Sequence, residues 1–241
     1  MNRACVSVFM ASLFLMAHSA FAQSSPASNR NLIVTEGTAE VMGQNDSARL
    51  TIAVVTDGRD LEQVSAKNAA ETKGVLRAIK ALSIGGLKLK TANYRVIPQR
   101  DYKARPPRFK GYEVHNSIEA TLEGFEPEPL SKHVSRLVGE ALESGANSIH
   151  DMQFYIKNKE PLEKEALTQA TREAMDRART LAEAAGVKLK RIASLSTQPM
   201  YTPPTPQMFR AAEMKAEAGA PPMEIGESHI RIQVSVAYEI E

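Results

Sequence analysis

The chain has 241 residues, with 30 Lys and Arg against 28 Asp and Glu and a net charge of +2. A balance so near neutrality excludes a dedicated nucleic-acid binder, which needs a concentrated basic excess. The single cysteine, Cys5, falls in a segment expected to be removed, which excludes disulfide scaffolds, thiolate catalysis and thiolate metal sites together.

That segment is Met1 to Ala22. Arg3 precedes a mostly apolar run from Val6 to Ala17, and the small-x-small triplet Ala20, Phe21, Ala22 follows, which is the three-part pattern of a cleaved secretory signal. The apolar run is about a dozen residues, short of the roughly twenty that cross a bilayer. No small-residue box of the lipoprotein kind precedes Cys5. Cleavage after Ala22 leaves 219 of the 241 residues and, with Arg3 gone, lowers the net charge from +2 to +1. Residues 23–30 are Ser, Ala, Asn, Pro, Gln and Arg, a flexible tether to a domain expected over 31–241.

Leu50, Ile52 and Val54 alternate with Arg49, Thr51 and Ala53, the period of a strand with one covered face, and Asp57-Gly58 marks a turn. Leu61, Val64, Val75, Ile79 and Leu82 then recur at helical spacing, closed by Gly85-Gly86. A strand is predicted at Leu87 to Ile97, with Leu89, Tyr94 and Val96 on its covered side. After a polar loop come a strand at Tyr112 to Leu122, a turn at Gly124, and a helix carrying Leu130, Val134, Leu137, Val138, Ala141 and Leu142 up to Gly145. Met152, Phe154 and Ile156 share one side of the next strand. The order strand, turn, helix, Gly, strand thus occurs twice, as a weak structural repeat.

Pro161 suits the first turn of a helix. From there to Ala185 alanines stand at every fourth position, Ala166, Ala170, Ala174, Ala178 and Ala182, a stripe that admits close backbone approach; Gly186 ends it. A strand at Arg191 to Ser196 follows. Residues 198–226 form a Pro/Met/Ala-rich flexible segment with too little apolar bulk for stable packing, apart from a short apolar helix at Met208 to Met214. The chain closes on a clear alternation, Ile230, Ile232, Val234, Val236 and Tyr238 against Arg231, Gln233, Ser235 and Glu239, fitting an antiparallel sheet with one wet face. The predicted class is α+β: mixed, largely antiparallel sheets with helices packed on one face.

Several short features occur in a fixed order along the chain: Thr35-Glu36-Gly37, Asn68-Ala69, then Leu89, Thr91, Tyr94, Val96 and Pro98, then Gly111-Tyr112. Gly145-Ala146-Asn147 with Ile149, the alanine-rich helix ending in Ala185-Gly186-Val187, the Pro/Met/Ala loop and the alternating last strand complete the series. In these the chain resembles the SIMPL-domain family, and within it the exported bacterial branch of periplasmic immunogenic and oxidative-stress-associated proteins. Gln44, Asn45 and Asp46 depart from the family pattern, which turns on a Pro-Asp pair in what is expected to be a hairpin. The resemblance implies an α+β fold, a periplasmic or outer-membrane-associated location, and in some members self-assembly into large oligomers. It implies no reaction and no catalytic residues.

The residues offer little chemistry of their own. His115, His133, His150 and His229 lack metal-ligand spacing, and His150 and Asp151, adjacent on a strand, are expected to point to opposite faces. No Gly-x-Ser-x-Gly elbow and no Gly-rich phosphate loop is present. Glu160, Glu163 and Glu165 crowd a helix start, where negative charge favours the dipole. Met200, Met208, Met214 and Met223 are spaced too widely for a compact thioether cluster. No catalytic, cofactor or metal site is expected. The one functional candidate is the loop from Gln99 to Tyr112, where Arg100, Lys103, Arg105, Arg108 and Lys110 stand among Tyr102, Phe109 and Tyr112 with Asp101 as the only acid. Such a loop suits an anionic envelope surface; the plain alternative is a solvated hairpin tip.

Two functions are expected from this. One is a non-enzymatic periplasmic protein that forms a homo-oligomer through sheet edges, the terminal strand among them, and through apolar positions of the Pro/Met segment. The other is a monomeric or dimeric module that captures an envelope ligand or unfolded client through the basic loop.

Overall fold

The computed structural model describes residues 31–200 and 223–241. The predicted signal segment, the tether, and Met208 and Met214 with the helix expected between them lie outside the described residues. Ten elements follow in order: β1 (Leu32–Gln44), β2 (Ser47–Gly58), α1 (Leu61–Ala81), β3 (Lys88–Asp101), β4 (Arg108–Glu123), α2 (Pro127–Glu143), β5 (Ser148–Tyr155), α3 (Glu160–Ala185), β6 (Leu189–Met200) and β7 (Glu227–Ile240).

The repeat read from the sequence becomes a split β-α-β pair. β2-α1-β3 and β4-α2-β5 interleave into one antiparallel sheet of order β3-β4-β2-β5. Its core is built from Leu50, Ile52 and Val54 of β2, Ala120 and Leu122 of β4, Val75 and Ile79 of α1, and Leu130, Val134 and Leu137 of α2. Asp60 caps α1, its carboxylate accepting from the Gln63 amide at 2.9 Å. The second sheet, order β1-β7-β6, is made by the two ends of the described chain, with Leu32 opposite Glu239 and Gln44 opposite Glu227. α3 packs on β1 and β7. Ala166, Ala170, Ala174 and Ala178 of the alanine stripe are fully buried against Ile232, Val234, Val236 and Tyr238.

Several expectations are corrected. β7 is the central strand of its sheet, paired with β1 on one side and β6 on the other, so neither of its edges is open. The Gln44-Asn45-Asp46 turn is a crossing between sheets instead of a hairpin, because β1 pairs with β7 while β2 pairs with β4 and β5. Asn45 and Asp46 hold that crossing. Asn45 Nδ2 donates to the Ile225 carbonyl at 3.0 Å, and Asp46 Oδ1 accepts from the Lys157 amide at 2.7 Å. The Pro/Met/Ala segment is packed at its far end: Ile225 is buried in the four-stranded sheet's core and Met223 packs against it, although β7, which follows, belongs to the other sheet. Leu142 is exposed, because it falls outside the buried stripe of α2.

Tyr94 and Val96 lie on the helix side of β3, as expected, but are not covered. A register shift after Thr91 brings them onto the same face as Leu89, opposite Asn116 and Val114. α1 rests on β2 and β4. Leu89 therefore packs against the core while Tyr94 is 52% exposed.

Candidate functional site

Beyond Tyr112, β4 loses its pairing with β2, whose last partner there is Gly58, while β3 and β4 remain paired out to Asp101 and Arg108. Residues 99–111 thus form a two-stranded ribbon extending past the sheet. Gly111 marks its root: at φ 154° it sits where a Cβ would lie 2.3 Å from the Gly58 carbonyl oxygen, so no larger residue lets the two strands meet there.

The structure brings all five sequence-predicted cations, Arg100, Lys103, Arg105, Arg108 and Lys110, onto this ribbon, and all are exposed. Asp101, also exposed, accepts from the Lys103 amide at 2.9 Å. A bulge at Lys110 sets Gln99 opposite Gly111 and Arg100 opposite Phe109. The rings of Phe109 and Tyr112 consequently meet edge to face at 5.0 Å on one side. Pairing carries the same side back through Pro98, Val96 and Tyr94. The aromatic and apolar residues that looked interspersed among charges form one stripe, with Tyr102 at the tip 77% exposed and Phe109 52% exposed. Periodicity of two conceals this, because the bulges break the period at both ends of the stripe.

The other edge feature was not read from the sequence. β6 borders the three-stranded sheet, and its Leu195, opposite Val236 on the α3 side, is 56% exposed; Ile192, opposite Tyr238, is 44% exposed. As with α1 over β3, the helix does not cover the outermost strand.

The remaining polar groups are held in structural roles. Asn68, fully buried, donates through Nδ2 to the carbonyls of Val54 at 2.9 Å and Val114 at 3.1 Å, fastening α1 to two strands. Asn68→Ala leaves both carbonyls buried without that donor and is expected to cost about 2 kcal/mol. Thermal unfolding should register this as a fall of roughly 4–8 °C; an unchanged midpoint would show the amide to be dispensable. Asn147 pairs through its side-chain amide with both backbone groups of Val55, at 2.9 and 2.7 Å, extending β5 along β2. Thr35 Oγ1 donates to the Ala174 carbonyl at 2.7 Å, tying β1 to α3.

Hydrogen bonds from Lys88 at 2.9 Å and Tyr155 at 3.1 Å hold the Glu123 carboxyl below its ordinary range, Lys88 acting most strongly, and Lys157 lies 3.5 Å away. Glu40 is lowered in the same way by Arg231 and His229. His150 and Asp151 do converge, 3.4 Å apart, against the alternation argument: Asp151 has φ 54° in a bulge where β2 and β5 shift register. Both are exposed, and no group of three His, Cys, Asp or Glu suited to a metal occurs among the described residues. No helix among the described residues is long and apolar enough to cross a membrane.

The chain is 28% identical over 232 residues to the 26 kDa periplasmic immunogenic protein of Brucella melitensis biotype 1, covering 92% of this chain and 90% of that protein. It has the same identity and coverage with the 26 kDa periplasmic immunogenic protein of Brucella abortus strain S19. With the uncharacterized protein YggE of Edwardsiella ictaluri it is 27% identical over 191 residues, 78% of this chain and 77% of that one. The SIMPL family model, described as a "Protein of unknown function (DUF541)", matches residues 33–238, from the first strand to the last. The features that carried the resemblance now have physical reasons, Thr35 and Gly37 against α3, Asn68 across two strands and Gly111 against Gly58, and the chain belongs to the SIMPL family.

Proposed function

We propose that the chain is an exported, non-enzymatic periplasmic protein that assembles with copies of itself into an oligomer with an envelope or stress-related role. The edge of β6, unpaired among the described residues and with Ile192 and Leu195 exposed beside it, is the observation that carries the assembly. An edge strand offers unpaired backbone groups, and natural sheets guard such edges with charge, Pro or bulges when association is unwanted. On β6 such guards stand at the two ends, Lys190, Arg191 and two register shifts before Ser194 and Pro199 near the close, while the regularly paired run between them carries Leu195 exposed, with Ile192 exposed just before it. A second copy meeting this edge pairs the free groups and removes both side chains from water. The periplasmic assignment is supported by the signal pattern at Met1 to Ala22 and by the names of the Brucella relatives. The non-enzymatic reading is supported by the use of Asn68, Asn147 and Thr35 as backbone ties.

Size-exclusion chromatography with light scattering on the chain from Gln23 tests this. A discrete species of several subunits is expected, and Leu195→Lys should elute smaller with unchanged circular dichroism, a lysine on an edge strand being a standard guard against pairing. A wild-type monomer at all concentrations would overturn the assembly.

A further inference from the structure

We propose that the β3–β4 ribbon is a membrane-contact device that docks on an anionic lipid bilayer, independently of whether the subunits assemble. Three observations converge on one short segment. The ribbon extends past the four-stranded sheet, so its tip can reach a flat surface ahead of the body. It carries five exposed cations with one acid, on a chain whose net charge is only +2, so the basic character is concentrated there. None of the five cations forms an ion pair among the described residues.

Its exposed rings are arranged by the pairing register. Tyr94, Val96, Pro98, Phe109 and Tyr112 form one stripe, and Tyr102 stands at the tip. A solvated loop has no need of aromatic bulk on one face, and a soluble polyanion is met by cations alone. Tyrosine rings have an apolar body and a polar end, which suits the headgroup boundary of a bilayer. Lysine and arginine beside them meet lipid phosphates, and their aliphatic stems lie along the apolar boundary. Arg100 stands directly across from Phe109, so cation and ring reach the surface together. An anionic bilayer is the partner that uses both features at once.

The chain contains no tryptophan, so Tyr102→Trp supplies a single reporter at the ribbon tip. The full chain from Gln23 carrying this change is mixed with vesicles of phosphatidylcholine alone, vesicles containing about one-third phosphatidylglycerol, or polyphosphate in solution. Co-sedimentation with the phosphatidylglycerol vesicles and a blue shift of the tryptophan emission are expected, with neither on phosphatidylcholine alone. Replacing Arg100, Lys103, Arg105, Arg108 and Lys110 by Ser should weaken vesicle binding at least tenfold and leave circular dichroism and melting unchanged. Phe109→Ser in the reporter chain should reduce the blue shift while binding keeps its salt dependence. Absence of binding, binding that survives loss of the five cations, or a response to polyphosphate equal to that to vesicles and without a blue shift would each overturn the bilayer assignment.

Discussion

Val234→Asp is expected to unfold the three-stranded sheet. Val234 is 1% exposed, lies opposite Gly37 and Thr197, and packs into the alanine-lined core beneath α3. That core offers a carboxylate no cation, and an unpaired buried charge costs several kcal/mol after relaxation. Against a total stability of about 5–15 kcal/mol, such a loss removes most of the margin. Ser235→Asp is the internal control. Its side chain lies on the outer face, directly opposite Glu36, where a like-charge pair costs up to about 1 kcal/mol. Because β7 is central, this second change touches no open edge and should leave the oligomer size as in wild type. Circular dichroism with chemical denaturation decides both. A cooperative transition for Val234→Asp within a few tenths of a kcal/mol of wild type would show that α3 and its sheet contribute little to folding.

The contrast between those two substitutions shows what a sequence reveals about a strand. The alternation from Ile230 to Glu239 was enough to assign the two faces, and the structure bears out the assignment: Ile232, Val234 and Val236 are buried while Arg231 is exposed. Position within the sheet was not legible. It depends on partners nearly two hundred residues away, and no local pattern distinguishes a strand with one neighbour from a strand with two. β1 itself was evident only through the family resemblance, because its outer face carries Leu32, Val34 and Met42 and its inner face carries Gly37, which blurs the alternation. The alanine stripe of α3, by contrast, was read correctly as a close-approach surface, since spacing by four specifies a helix face whatever covers it.

The candidate site was legible by composition and hidden in geometry. Five cations and three rings between Gln99 and Tyr112 were visible at once. That Phe109 and Tyr112, three residues apart, share a face depends on the bulge at Lys110, and bulges leave no reliable trace in periodicity. The uncovered state of Tyr94, Val96, Ile192 and Leu195 has one physical origin. Each helix layer is narrower than its sheet, so the outermost strand presents a core-like face to solvent. Sequence patterning marks a residue as fit for burial without stating whether anything will bury it.

Gly37→Ala is expected to destabilise the fold by about 3 kcal/mol, against the ordinary sign of that exchange. Replacing glycine by alanine at a compatible position gains about 0.4–1 kcal/mol by restricting the unfolded chain. At Gly37 the added methyl would lie 2.0 Å from the Ala170 carbonyl oxygen and 2.4 Å from the Ala174 amide nitrogen. Both are backbone atoms in the middle of a 26-residue helix, so no side chain can swing aside. The helix must lift by more than an ångström, roughly the distance from these contacts to ordinary van der Waals separation. Lifting breaks the Thr35 Oγ1 bond to the Ala174 carbonyl and loosens the buried alanines around it. In a domain of this size the loss should lower the melting temperature by roughly 6–12 °C. Gly85→Ala is the control, because a methyl there meets no atom within 4 Å. A Gly37→Ala protein that melts with Gly85→Ala and wild type would show that β1 and α3 stand further apart than this contact requires.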